Sequence, residues 1–195
     1  MHCIMILKDP SIELLPSYRA ALEKGWSPDN TRPQAAEEEL EKSAADAANF
    51  LALMSDRKAV GGPVTLADGT KVARLPSIRL WMWDGEFCGT IGFRWQPETE
   101  QLPPHCLGHI GYAVVPWKRR LGYATAALRQ LLPYARAEGL SYVELTTDPD
   151  NDPSQKVIVA NGGVLIERFT KSAHYGAATA LRWRIYFQDH IASDS

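Results

Sequence analysis

The sequence predicts a mixed α/β fold in which helices cover a mostly antiparallel sheet. Three observations carry this. In the first third, apolar residues recur at three- and four-residue steps, the spacing of amphipathic helices. From Ser77 the period changes to two, in two runs parted only by Asp84 and Gly85. Gly108 to Thr147 then reads as strand, helix, strand, a unit whose strands normally lie parallel through a right-handed crossover.

Ser11 to Lys24 is the first predicted helix, with Leu14, Leu15, Tyr18 and Leu22 on one stripe. Pro16 suits a first helical turn, so the regular part begins near it. Gly25 to Pro33 is a loop of turn formers. The next segment aligns Leu40, Ala44, Ala47, Leu51 and Met54, and opens with the acidic run Glu37 to Glu41. Acidic residues suit a helix N-terminus, and the run reads as a solvated face, with binding of a cationic substrate the alternative. Gly61 to Pro76 is a connector with a turn at Asp68 and Gly69. Ser77 to Trp83 and Glu86 to Trp95 form a hairpin, because Asp-Gly supplies the positive φ that a type I′ turn needs. Gln96 to Pro104 is a polar loop, and Gly108 to Val115 is a third strand. Gly122 to Ala137 is a helix with Ala124, Ala127, Leu128, Leu131, Leu132 and Ala135 on its apolar stripe. Pro133 should bend or shorten it, and Gly139 stops it. Tyr142 to Thr147 is a strand and Pro153 to Ala160 a short helix. Val164 to Phe169 and Ala178 to Gln188 are the closing strands.

With 195 residues, 45% hydrophobic and 23% charged, the chain has the composition of an ordinary soluble domain. One domain over 1–195 is expected, with 1–60 its helical part. A net charge of −2 argues against a nucleic-acid partner. No apolar run approaches the roughly 20 residues of a membrane helix, and no secretion signal opens the chain. Cys3, Cys88 and Cys106 are unclustered, which predicts free thiols in a reducing cytoplasm, serving as apolar fillers, and no metal.

The chemistry concentrates in Val114-Val115-Pro116-Trp117-Lys118-Arg119-Arg120-Leu121-Gly122-Tyr123-Ala124-Thr125. A strand ends, a basic turn follows, and a helix opens at a glycine. Helix N-termini leave backbone N–H groups unpaired and carry partial positive charge, so this is the physics of a pyrophosphate cradle. The plain alternative is a solvated basic loop. Neither the Walker spacing nor GxGxxG is present.

The run Arg119 to Ala124 resembles the R/Q-x-x-G-x-G/A signature of the GNAT superfamily of N-acetyltransferases. Downstream, Asn151-Asp152-Pro153-Ser154 and Asn161-Gly162-Gly163 resemble that family's second motif. The resemblance covers about residues 77–189. It implies a GNAT-like α/β (α+β type) fold, a central, mostly antiparallel splayed sheet with a parallel strand pair and helices on both faces. Acetyl-CoA, the acyl donor, would lie between the parallel strands 108–115 and 142–147. Backbone N–H groups of Arg119, Arg120, Leu121, Gly122, Tyr123, Ala124 and Thr125 would hold the pyrophosphate. The pantetheine arm would pair with Val114 and Val115, and Asn151 and Ser154 would orient it. The plain reading of those last two is a helix cap and a helix start.

The resemblance further implies direct attack of an amine on the thioester, and often a homodimer. Where many members carry a tyrosine in the short helix, this chain has Ile158. A non-catalytic acyl-CoA sensor of the same fold is the alternative. His109 and Glu144 are weighed as bases and read as structural, so no catalytic side chain is assigned. Trp81, Trp83 and Trp95 read as core rather than as a cation cage. Tyr175 and His174 are candidates for the mouth of the substrate pocket, with the early helices, the 96–107 loop and the last strands forming its walls.

Overall fold

A computed structural model describes residues 4–29, 32–66, 69–172 and 175–187. The elements run β1 Ile6–Lys8, α1 Leu15–Glu23, α2 Ala35–Ala45, α3 Ala47–Met54, β2 Val64–Thr65, β3 Lys71–Val72, β4 Ser77–Trp83 and β5 Phe87–Arg94. They continue with β6 Ile110–Val114, α4 Tyr123–Ala137, β7 Tyr142–Thr147, α5 Asp152–Val159, β8 Val164–Thr170 and β9 Thr179–Tyr186. Three sheets form: β1-β4-β5-β6, the small hairpin β2-β3, and β7-β9-β8. Every pairing within them is antiparallel.

Strand alternation sends side chains of the four-stranded sheet to two different cores. Ile78, Leu80 and Met82 of β4 pack with Leu128 and Leu131 of α4 and with Ile158 of α5. Trp81 of β4 and Phe87 of β5 face the other way and pack with Leu15, Tyr18 and Leu22 of α1 and with Phe50 of α3. The Trp81 ring stacks on Tyr18, centroids 4.8 Å apart. Trp95 lies in the first core, stacked on Phe93 at 4.9 Å. The tryptophans therefore fill separate cores and form no cage. Lys8 does sit over the Trp83 ring at 5.5 Å.

Several expectations need correcting. The second helical segment breaks at Asp46, whose extended backbone (φ −152°) ends α2 and whose carboxylate accepts the Asn49 N–H at the start of α3. A capping aspartate satisfies one orphan donor of the new helix, which makes the break stable. The acidic run is not wholly solvated, because Glu39 pairs with Arg79 at 2.9 Å and accepts the Tyr18 hydroxyl. The β4–β5 connection is Asp84 to Glu86 with only Gly85 at positive φ, and the register shifts at Met82/Trp83, so it is not a type I′ turn. Pro133 sits inside α4 without shortening it. The short β1, β2 and β3 carry too few residues to show a period. Cys3, Asp68, His174 and Gln188 lie outside the described residues.

The strands 108–115 and 142–147 form no parallel ladder. They meet only at a seam, where the His109 N–H donates to the Glu144 carbonyl at 2.8 Å and Thr146 Oγ1 donates to the Leu107 carbonyl. The His109 ring occupies the next bonding position. Its Nδ1 accepts the Glu144 N–H at 2.9 Å, so a side chain stands where a ladder carbonyl would be. Gly108 permits this approach, since a Cβ there would lie 2.9 Å from the Glu144 carbonyl oxygen.

Candidate active site

Between β6 and α4 the chain makes a tight turn. Pro116–Lys118 form one 3-10 turn, and then Arg120 and Gly122 take positive φ (63° and 77°). Leu121 between them does not, and such alternation curls successive N–H groups toward one side. Gly122 gives α4 no side-chain cap. The first helical bond runs from Ala126 N–H to the Gly122 carbonyl at 3.0 Å. The N–H groups of Gly122, Tyr123, Ala124 and Thr125 thus have no helical acceptor. A Cβ on Gly122 would meet nothing within 4 Å, and Arg119, Arg120 and Leu121 are exposed. Unpaired donors, open space and two guanidinium groups fit an anion.

The β4–β5 turn braces this loop from behind. Asp84 lies 2.8 Å from Lys118 Nζ and accepts the Tyr123 hydroxyl at 2.6 Å, while Lys118 also reaches Glu86 at 2.8 Å. Burial would raise the Asp84 carboxyl, but the bonds from Lys118 and Tyr123 outweigh it and bring it down to about 2. The same contact with Asp84 pushes the Tyr123 phenol up to about 12. Burial, and then the hydrogen bond with Asp84, push the Cys88 thiol up to about 12, so this buried cysteine is inert. Sequence reasoning gives neither Asp84 nor Lys118 this bracing role, since nothing in a turn aspartate signals a partner so far along the chain.

Of the two strand-end valines, only Val114 presents backbone away from the sheet. Val115 N–H donates to the Cys88 carbonyl at 3.0 Å, which corrects the expectation that both are available. Alternation in an antiparallel strand turns Val114 outward, and its carbonyl accepts Arg119 Nε at 3.4 Å. Asn151 caps α5 through the Ser154 N–H at 3.2 Å. The Ser154 carbonyl accepts the half-buried Tyr112 hydroxyl at 3.3 Å, which ties β6 to α5 across the gap between the sheets. Asn161 donates to the Thr125 carbonyl at 3.2 Å, fastening the end of α5 to the first turn of α4. The two sequence motifs are therefore in contact through Asn161.

Neither weighed base is disposed for proton transfer. His109 is fully buried, its Nδ1 is bonded, and burial lowers it to about 4 despite the nearby Glu144 charge. Glu144 is held by Arg184 at 2.7 Å and faces Arg182 at 3.9 Å. Ile158 is buried at 1% exposure and packs in the first core. Among the described residues no group of three or more His, Cys, Asp or Glu is placed to hold a metal, and no helix is long and apolar enough to cross a membrane.

Comparison with known proteins bears on this geometry. No curated protein matches the chain by sequence. Solved structures match its fold. The ribosomal L7/L12 α-N-protein acetyltransferase RimL, in complex with coenzyme A, superposes with a TM-score of 0.65 at 15% identity, over 94% of each chain. The microcin C7 self-immunity acetyltransferase MccE, in complex with acetyl-CoA and AMP, gives 0.59 at 12% identity over 94% of this chain and 92% of that one. A Salmonella typhimurium acetyltransferase that modifies the N-terminal serine of L7/L12 gives 0.61 at 13% identity, over 94% and 95%. The sequence profile of the acetyltransferase (GNAT) family spans residues 16–162, the stretch that holds the uncapped start of α4 and the α5 cap, and the chain belongs to that family.

Proposed function

We propose that this chain is an acetyl-CoA-dependent N-acetyltransferase that acetylates an amine. The observation that carries the reading is the uncapped N-terminus of α4, with four unpaired N–H groups beneath open space at Gly122. Backbone N–H groups from Arg120 to Thr125 would hold the pyrophosphate, since that of Arg119 already donates to the Pro116 carbonyl at 3.4 Å, and the Arg119 and Arg120 side chains would add charge. The outward backbone of Val114 would pair with the pantetheine arm as an added strand does. Asn151 and Ser154 would orient that arm, Asn151 through its amide nitrogen because its oxygen is engaged in the cap. Structural neighbours that hold coenzyme A or acetyl-CoA, and others that modify a protein N-terminus, support both donor and acceptor.

Bound acetyl-CoA supplies an acyl group activated as a thioester. The protein's part is positioning: holding reactants in near-attack geometry is worth about 7–11 kcal/mol. His109 and Glu144 are committed to structure, so neither is assigned to remove the amine proton. The test is release of free coenzyme A thiol from acetyl-CoA across a panel of amines. Thiol release with at least one amine supports the reading. Tight binding with no release for any amine would instead favour a sensor.

A further inference from the structure

A cavity of about 800 Å³ lies on the α1–α3 side of the four-stranded sheet, away from α4. That is the size of a small-ligand site. Its floor is β4 and β5 at Arg79, Gly92 and Arg94, its roof is α2 and α3, and Cys106 and Tyr175 stand at one side. Gly92 pairs in register with Gly111 of β6, so the floor reaches the strand that borders the gap between the sheets.

The floor is bare for no packing reason. Neither glycine has positive φ, and a Cβ on Gly92 would come no closer than 3.6 Å to any atom. A Cβ on Gly111 would meet only Arg94 Nη2, at 4.0 Å. Side chains are tolerated sterically at both positions, and their absence leaves the sheet surface bare from Gly92, which lines the cavity, to its β6 neighbour Gly111, which does not.

The charges in the cavity are matched, with one exception. Arg79 is paired with Glu39 at 2.9 Å, Arg74 with Asp56 at 3.7 Å and Lys42 with Glu38 at 3.8 Å. Asp46 is engaged in capping α3. Arg94 has no carboxylate within ion-pair distance among the described residues; its guanidinium lies by the Cys106 thiol and over Gly111.

We infer that this cavity is the acceptor site and that Arg94 selects amines whose carrier bears a carboxylate close to the amino group. The inference rests on the acetyltransferase reading for the place of the reacting amine. A guanidinium fork matches a carboxylate in geometry and charge. The same positive charge disfavours an ammonium beside it, so it helps keep the acceptor amine neutral, as attack requires. The carboxylate can be that of a free amino acid or an acidic side chain next to a peptide N-terminus.

Matched probes decide between these sources and test the site. Amino acids are compared with their carboxamides, and amidated tripeptides with aspartate at the second position are compared with their asparagine twins. Binding is measured by calorimetry in the presence of coenzyme A. Wild type should bind the carboxylate member of one set about tenfold more tightly or better. Arg94→Gln should erase that preference, Arg94→Lys should keep part of it, and both should bind coenzyme A as wild type does. Equal binding within both sets, no binding of any carboxylate probe at millimolar concentration, or a preference that survives in Arg94→Gln would overturn the inference. Coenzyme A binding in the same titrations reports separately on the acetyltransferase reading: its failure with the Arg94-dependent preference intact would sink that reading and leave the carboxylate site standing.

Discussion

Asp84 is a turn former by sequence, yet its carboxylate holds Lys118 and Tyr123 and so fixes the far side of the anion loop. Asp84→Asn keeps the shape and removes the charge. The nearly buried bond to Lys118 weakens, at a cost of about 1–3 kcal/mol in stability. Coenzyme A affinity should fall several-fold with it, because the N–H groups of the loop are no longer held in place. Denaturant melts and coenzyme A titrations on the same protein check this. Loss of stability with unchanged affinity would make the cluster structural only. At this scale the sequence shows what local physics determines: a glycine at a helix start, an asparagine that caps. It hides Glu39, whose partners Tyr18 and Arg79 come from other elements and remove it from the solvated face that its charged neighbours suggest.

Elements with a long clean period are legible. The stripe of α4 and the alternation of β4 and β5 can be placed from sequence to within a residue or two, since α4 buries one periodic face and the strands send alternate side chains into two cores. What cannot be read is how strands from different parts of the chain meet. Between β6 and β7, expected as a parallel pair, the contact is the His109 seam, and no periodicity distinguishes a histidine that bonds an N–H from one that lines a cleft. The seam has a pH signature. An unfolded histidine titrates near 6.5, whereas buried His109 resists its proton down to about 4. A lowered histidine pKa means that the unfolded state takes the proton first. Stability from this group is therefore full above about pH 6.5 and falls as pH drops toward 4, by about 2 kcal/mol between roughly pH 7.5 and pH 5. His109→Asn, whose carbonyl can still accept the Glu144 N–H, should be less stable at neutral pH but lose that much less over the same interval. Identical pH slopes for the two proteins would contradict the assignment.

Over the whole molecule, the two proposed sites differ in how they are written. The anion cradle is one continuous segment from Val114 to Thr125, so its physics and its family resemblance are both visible in the sequence. The cavity is assembled from α2, α3, the β2–β3 hairpin and the segment after it, β4, β5 and two distant loops, and nothing in the spacing of Glu39, Arg79, Arg94 and Tyr175 announces that they line one cavity. The central claim concerns the cradle, and calorimetric titration of coenzyme A into wild type, Arg119→Ala and Gly122→Val tests it most directly. Wild type should bind. Arg119→Ala removes one charge from a site of several donors and should weaken binding by about ten- to a hundredfold. Gly122→Val strains a backbone at φ 77° and fills open space above the unpaired N–H groups, so it should lose more. If Gly122→Val binds like wild type while Arg119→Ala binds nothing, the site is a side-chain clamp and the backbone cradle is wrong.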